Sequence, residues 1–553
     1  MSVIDGVRIL IAIVLWMVLV AIAVARSSTR KAALDGGRRL DAAFWGVLAI
    51  ALPVWRLWPL LYNGELNVDE SQVLAQAMRF GIDPVPWRSV VGGSSGPLNT
   101  WIVMWAPLVG LPYSYLPARI TSLACILVTL CVTAWTVGRI CGRRYSLLLT
   151  LPAATLMLTT LNPDFLHLSS EMLPSAMLAC LVALVWKRQS PPPLWHSFAI
   201  GAVAGALPFT KLQVAPAAVV LFGYAAASLV WRRGFAASTA DMFRLLCGGV
   251  TVPTLILGPV VAAGAWEDFT TFYLGYGATY NASRILDVSP WSLVVTGSRE
   301  FSAFWIPLTL GLTTGTLWNW LRQHRQGLFP FVALLPIFGY AALMLLVTTW
   351  TRMGLPHYLI LLLGPFTLTC AAVARLGTAG DRMRGRAVVA FVAITLLIQV
   401  AMFASEAVRK PRMLSQWGLA GHAVADEAQR LSATGDTLFV WGWAPKFHVM
   451  SGLPPATRFA VNTTPTGDGP AAALYIRRTL EDLAISKPRV ILDATDEFIA
   501  VNPVKGLAAT YLSLPPLAGL IERDYSLVMK AELDAARLPY LVFLHTSGSG
   551  SGR

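Results

Sequence analysis

Ile9-Leu-Ile-Ala-Ile-Val-Leu-Trp-Met-Val-Leu-Val-Ala-Ile-Ala-Val-Ala25 contains no charged residue. Extended back to Val7, it reaches close to the ~30 Å of a bilayer's hydrocarbon core at about 1.5 Å per helical residue. Five cations follow within fifteen residues: Arg26, Arg30, Lys31, Arg38 and Arg39. An apolar run with a basic flank on its C-terminal side predicts an uncleaved span whose N-terminus lies outside. Such runs recur. Hydrophobic residues fill 56% of the 553 positions and charged residues 13%, against roughly a quarter charged in a soluble domain, so a water-soluble fold is excluded for most of the chain.

Apolar length and loop charge together predict about twelve spans: 7–25, 41–62, 116–137, 145–161, 170–186, 194–210, 212–231, 243–263, 298–319, 328–349, 357–375 and 386–404. The test of this threading is where the cations fall. Arg26 to Arg39, Arg139/Arg143/Arg144, Lys187/Arg188, Arg232/Arg233, Arg322/Arg325 and Arg375 to Arg386 all fall on one side, which the positive-inside rule makes the cytoplasm. The same rule explains the excess of 43 Lys and Arg over 29 Asp and Glu without nucleic acid. Leu98 to Leu111, between Pro97 and Pro112, is too short to cross, and a span there would invert every later loop. It is expected to be an interfacial helix. The outward loops are then Asn63 to Leu116, Asn162 to Glu171 and Ala265 to Ser298.

After Ser405 the long apolar runs stop. Helix-like patterns at 414–431 and 471–485 alternate with strand-like Thr437 to Trp441, Arg489 to Leu492, Ser526 to Lys530 and Tyr540 to Leu544. The expected division is a transmembrane domain over 1–404 with outward loop 63–116, a soluble extracytoplasmic α/β domain over 405–546, and a linker-like Gly/Ser tail over 547–553. The six cysteines, Cys125, Cys131, Cys141, Cys180, Cys247 and Cys370, lie in or beside apolar segments, so neither a disulfide framework nor a cysteine zinc site is expected.

The candidate chemistry lies at the outward span ends. Asp69-Glu70, in Asn67-Val-Asp-Glu-Ser-Gln72, either caps a helix running to about Phe80 or supplies a general base for an acceptor hydroxyl. Glu171, in His167-Leu-Ser-Ser-Glu-Met-Leu-Pro174, is either a headgroup-level carboxylate or a functional one. Lys211 interrupts an apolar stretch against the cytoplasmic bias of the other cations. It either snorkels or neutralises a phosphate. Arg352, His357 and Tyr358 form a second outward group, with donors suited to an anionic headgroup. Trp441 and Trp443 border a strand and read as core rather than sugar platforms. Asn281-Ala-Ser and Asn462-Thr-Thr match the glycosylation sequon.

Taken in order, these pieces resemble the GT-C superfamily of polyprenyl-phosphate-sugar glycosyltransferases, of the protein mannosyltransferase and aminoarabinose transferase type (glycosyltransferase family 39-like), over about residues 41–500. The motifs are the acidic pair Asp69-Glu70 after a span, Ala118-Arg119 after interfacial helices, and Glu171 in a later loop. Gly205-Ala-Leu-Pro-Phe-Thr-Lys211, His357-Tyr-Leu359, Phe439-Val-Trp-Gly-Trp-Ala-Pro-Lys-Phe447 and Ser451-Gly-Leu-Pro-Pro-Ala-Thr-Arg-Phe459 complete the order. The resemblance implies an inverting transfer from a polyprenyl-phosphate sugar to the hydroxyl of a glycan, lipid or protein acceptor. It implies Asp69 as base, with Glu70 and Glu171 positioning the acceptor or the base. Aminoarabinose-type enzymes commonly carry Glu-Lys-Pro-Pro in the first loop, whereas this chain reads Gly92-Gly-Ser-Ser-Gly-Pro-Leu98. Phosphate contact then falls to Lys211, Arg352, His357, Tyr358 or Arg88. No dense ligand cluster demands a metal, although Asp69, Glu70 and Glu171 would suit a divalent cation if the fold converged them. A transporter or flippase would place ionisable residues near span midpoints and show internal repeats. A membrane scaffold with a binding domain would leave the acidic pair and Lys211 unexplained.

Overall fold

The computed structural model describes residues 3–28, 34–186, 193–275, 289–322, 332, 334–350, 354–376, 381–409, 419–465, 469–499, 509–532 and 538–546. The chain folds into two compact units. The first comprises Met1–Leu61, Arg119–Pro253 and Leu286–Pro411, and the second comprises Tyr62–Ala118, Thr254–Ile285 and Arg412–Arg553.

Each of the twelve stretches expected to span coincides with helix. The first unit is built from Val3–Ser28, Leu34–Trp55, Arg143–Thr159, Met172–Trp186, Leu194–Ala206, Ala215–Arg233, Arg299–Arg322, Leu335–Thr349, Leu363–Leu376, Asp381–Arg409 and the greater part of Tyr115–Cys141 and Phe235–Ala262. By length and composition, six segments among the described residues can cross a membrane: Val7–Ser28, Tyr115–Cys141, Leu212–Arg233, Phe235–Ala262, Pro356–Leu376 and Val388–Ser405. Their outer faces expose large apolar side chains such as Leu10, Val250, Leu255 and Leu397, as a hydrocarbon solvent requires. Several hydroxyls within these helices bond back to the preceding turn. Thr129 donates to the Cys125 carbonyl at 2.8 Å and Thr367 to that of Leu363 at 2.7 Å.

Small residues allow the closest helix approach. A Cβ added to Gly201 would lie 2.0 Å from the Leu245 carbonyl oxygen, and one on Gly205 would lie 2.3 Å from that of Gly249. Backbone thus packs on backbone between Leu194–Ala206 and Phe235–Ala262, as at small-xxx-small contacts in membranes.

In the second unit a four-stranded sheet runs in the order β1 (Leu438–Trp441), β2 (Val490–Asp493), β4 (Tyr540–His545), β3 (Tyr525–Ala531). β1 and β2 are parallel, with Leu438 opposite Val490; β4 is antiparallel to both β2 and β3. β1 and β2 are buried along their whole length. Val440, Leu492 and Val542 pack on one face with Val424, Ala428 and Phe447, while Phe439, Trp441 and Ile491 pack on the other with Leu483, Leu517 and Ile521. Trp441 is core, and its indole donates to the Ala509 carbonyl at 3.1 Å. Gly442 follows it at φ +121°, where a Cβ would collide with the Ala494 carbonyl oxygen.

Helices Leu419–Leu431 and Pro470–Ser486 match the expected helical patterns; residues 410–418 lie outside the described residues. The segment 98–111 departs from expectation. It forms two short helices, Pro97–Trp101 and Trp105–Leu108, instead of one, because Pro107 has no N–H for the Val103 carbonyl. Asn462, in the second sequon, is buried and its amide donates to the Val440 and Phe459 carbonyls, as fits a chance match to the tripeptide. Asn281 lies outside the described residues.

A buried ion network ties the segment Thr254–Ile285 to the C-terminal domain within the second unit. Arg458 bridges Asp268 and Asp482, both at 2.7 Å, and Arg478 also reaches Asp268 at 2.7 Å. Asp268 and Asp482 are buried, and each carboxylate accepts several bonds, which offsets the cost of desolvation.

Candidate active site

In the first unit a polar cluster forms where two helices are broken. The helix Leu194–Ala206 gives way to a 3₁₀ turn, Leu207–Phe209, whose Pro208 cannot donate to a preceding carbonyl. Lys211 is consequently extended, at φ −153° and ψ 125°, before a second 3₁₀ turn, Leu212–Val214. The other break is the 3₁₀ segment Pro356–Leu362, which carries His357 and Tyr358 into the helix Leu363–Leu376.

The loop between Arg143–Thr159 and Met172–Trp186 supplies the acidic side of the cluster. Pro163–Leu166 forms one turn, capped by the Asn162 side chain, which accepts from the Asp164 N–H at 3.1 Å. The buried Arg56 guanidinium donates to the Phe165 carbonyl at 2.9 Å and, through Nε, to that of Met157 at 3.0 Å. Glu300 accepts from the Leu161 N–H at 3.1 Å and from the Thr160 hydroxyl. Ser122 donates to the His167 carbonyl at 3.1 Å. These bonds fix the loop before it reaches Glu171.

Glu171, Lys211 and His357 are each no more than 3% exposed. The Lys211 ammonium forms an ion pair with Glu171, donates to the Ser170 hydroxyl at 2.8 Å and lies 4.4 Å from the centre of the Tyr358 ring. His357 places Nδ1 3.5 Å from Asp164 and Nε2 3.9 Å from Glu171. The His167 ring meets it edge to face at 5.8 Å. A lysine, two imidazoles and a phenol thus converge on one point. Two carboxylates, Glu171 and Asp164, hold the ammonium and the His357 ring, and groups of this kind can donate to an anion.

Four expected site residues therefore come together: Glu171, Lys211, His357 and Tyr358. Asp69 and Glu70 belong to the second unit, in the first turn of Val68–Phe80. The cap of that helix is Asn67, whose side chain accepts from the Asp69 N–H at 3.0 Å, so the Asp69 carboxylate is not the cap. Glu70 is fully buried. Ser71 shares a hydrogen bond with the Tyr115 hydroxyl at 3.0 Å. Glu171 is engaged by Lys211. Arg88, also in the second unit, is exposed and paired with Asp83 at 2.5 Å. Arg352 lies outside the described residues.

Sequence reasoning did not single out Asp164, His167 or Ser170. The signal was the loop itself: Asn162-Pro-Asp-Phe-Leu-His-Leu-Ser-Ser-Glu171 concentrates ionisable and hydroxyl groups between two apolar helices.

No family model and no curated protein matches the sequence. Solved structures do match the fold. ArnT from Cupriavidus metallidurans bound to undecaprenyl phosphate aligns with 92% of this chain and 98% of its own, at TM-score 0.56 and 14% identity. The same protein in the apo state aligns with 92% of this chain and 100% of its own, at TM-score 0.53 and 14% identity. The chain has the fold of these proteins: a polytopic helical membrane domain followed by a small α/β domain.

Proposed function

We propose that this protein is an inverting membrane glycosyltransferase. It moves a sugar from a polyprenyl-phosphate donor to the hydroxyl of a glycan, lipid or protein acceptor in the cell envelope. The observation that carries the reading is the buried cluster of Lys211, Glu171, His357 and Tyr358 at breaks in apolar helices, in a chain with the fold of a protein crystallised with undecaprenyl phosphate. Lys211, His357 and Tyr358, joined by Arg352 and Arg88, bind the donor phosphate and neutralise the charge that grows on it as the anomeric C–O bond breaks. Asp69 removes the acceptor's proton as that oxygen attacks the anomeric carbon from the opposite face, with Glu70 and Glu171 positioning the acceptor and the base. The proton ends on Asp69 and the electron pair on the lipid phosphate. A divalent cation, if one takes part, draws on the same carboxylates. The protein resides in the cytoplasmic (inner) membrane, with the Asp69 loop, the Glu171 loop and the 405–546 domain on the extracytoplasmic side, as the sorting of cations supports.

The test is transfer from a radiolabelled polyprenyl-phosphate sugar to a membrane acceptor. Asp69→Asn is expected to lose about 10²–10⁴-fold in kcat, the usual worth of a general base. Lys211→Met is expected to weaken competition by undecaprenyl phosphate. A folded Asp69→Asn protein with full activity removes Asp69 from the mechanism.

A further inference from the structure

His167 is fully buried in the first unit, and the proposed chemistry leaves it without a role. It ends the turn Pro163–Leu166, and two hydrogen bonds fix its backbone: its N–H donates to the Pro163 carbonyl at 3.3 Å and its carbonyl accepts from the Ser122 hydroxyl at 3.1 Å. The ring is fixed as well. Nδ1 lies 2.8 Å from the Pro163 carbonyl oxygen. A carbonyl only accepts, so Nδ1 carries the proton and, in the neutral ring, Nε2 presents a lone pair. That nitrogen is shut off from solvent and has no hydrogen-bond partner among the described residues. The ring packs edge to face on His357, at 5.8 Å between centres, which places it beside the Lys211, His357 and Tyr358 cluster. Phosphate oxygens cannot satisfy it, because an ionised phosphate accepts and does not donate. A buried acceptor without a donor is costly, and a ligand hydroxyl or amide N–H would supply one.

We propose that His167 is a specificity-determining residue whose Nε2 accepts a hydrogen bond from the C2 substituent of the donor sugar. The donor is then a sugar with a hydroxyl or an acylamino group at C2, and a 2-deoxy sugar is disfavoured. This rests on the reading of the cluster as a polyprenyl-phosphate-sugar site. With the phosphate on Lys211, His357 and Tyr358, the sugar atoms nearest to it flank the anomeric carbon. One of them is the ring oxygen, which only accepts. The other is C2, whose substituent is therefore the first group along the sugar able to donate to His167. A bond at that position also gains strength as positive charge grows at the anomeric carbon, so it favours transfer as well as binding.

The experiment measures equilibrium binding to the full chain in lipid nanodiscs. The probes are undecaprenyl phosphate, its glucosyl and mannosyl esters, and the 2-deoxy ester that these two share because they differ only at C2. The parent is expected to bind at least one hexosyl ester about tenfold to a hundredfold more tightly than the 2-deoxy ester, the effect of one buried hydrogen bond. In His167→Asn the amide can still donate to the Pro163 carbonyl but falls short of the Nε2 position. It is expected to lose that preference and to bind undecaprenyl phosphate as the parent does. His167→Gln, whose amide reaches the Nε2 position, is expected to keep part of the preference. A parent that binds the 2-deoxy ester as tightly as both hexosyl esters overturns the proposal, and so does a preference that survives in His167→Asn. Equal loss in His167→Asn and His167→Gln assigns the ring to packing alone. Weaker binding of undecaprenyl phosphate itself by His167→Asn makes the ring a phosphate donor, which also overturns the acceptor role. Failure of the parent to bind any of the four probes would instead refute the functional reading, and this inference with it.

Discussion

Lys211→Met isolates the central electrostatic arrangement of the first unit. In the native chain Lys211 and Glu171 pair at 3% and 0% side-chain exposure, so removing the ammonium leaves a carboxylate buried beside His357 and Ser170. Breaking one partner of such a pair costs about 3–5 kcal/mol, whereas replacing both is often near neutral. Lys211→Met is therefore expected to lose about 3–5 kcal/mol at neutral pH, and Lys211→Met/Glu171→Gln to recover most of it. Equilibrium unfolding of the full chain in mixed micelles, carried through the double-mutant cycle, measures each quantity. Additive single effects, or a Lys211→Met protein as stable as the parent at neutral pH, would refute the reasoning.

Gly201→Leu places a branched side chain where even a Cβ lies 2.0 Å from the Leu245 carbonyl. It should cost at least about 1–3 kcal/mol in the same unfolding assay, because two helix backbones must part; an unchanged midpoint would contradict the close packing. Asp268→Asn removes the charge shared by Arg458 and Arg478. It is expected to destabilise the second unit by about 3–5 kcal/mol and to speed proteolysis within Thr254–Ile285, and equal cleavage rates in the two proteins would contradict that.

The reach of sequence reasoning follows the range of the forces involved. Helix positions depend on apolar length, a local property, and so Ile9–Ala25 and its eleven counterparts could be placed from composition alone. The strands were legible for a similar reason: Leu438–Trp441 and Val490–Asp493 are short apolar runs between turn residues. The segment 98–111 was misread as one helix because the backbone bond that Pro107 withholds outweighs apolar length.

The sequence by itself determined that the chain is a many-helix membrane protein with a small α/β domain, and that Glu171, Lys211, His357 and Tyr358 deserved suspicion. It did so because a charge next to hydrocarbon is costly wherever it lies. Only the tertiary structure decided that these four meet, since residues 40 to 187 positions apart are brought together by helix breaks and packing rather than by any local pattern. It also decided that Asp164 and His167 join them, and that Asn67 and not Asp69 caps its helix. Burial and pairing depend on all the neighbours of a side chain at once, and a linear reading sees only those adjacent in the chain.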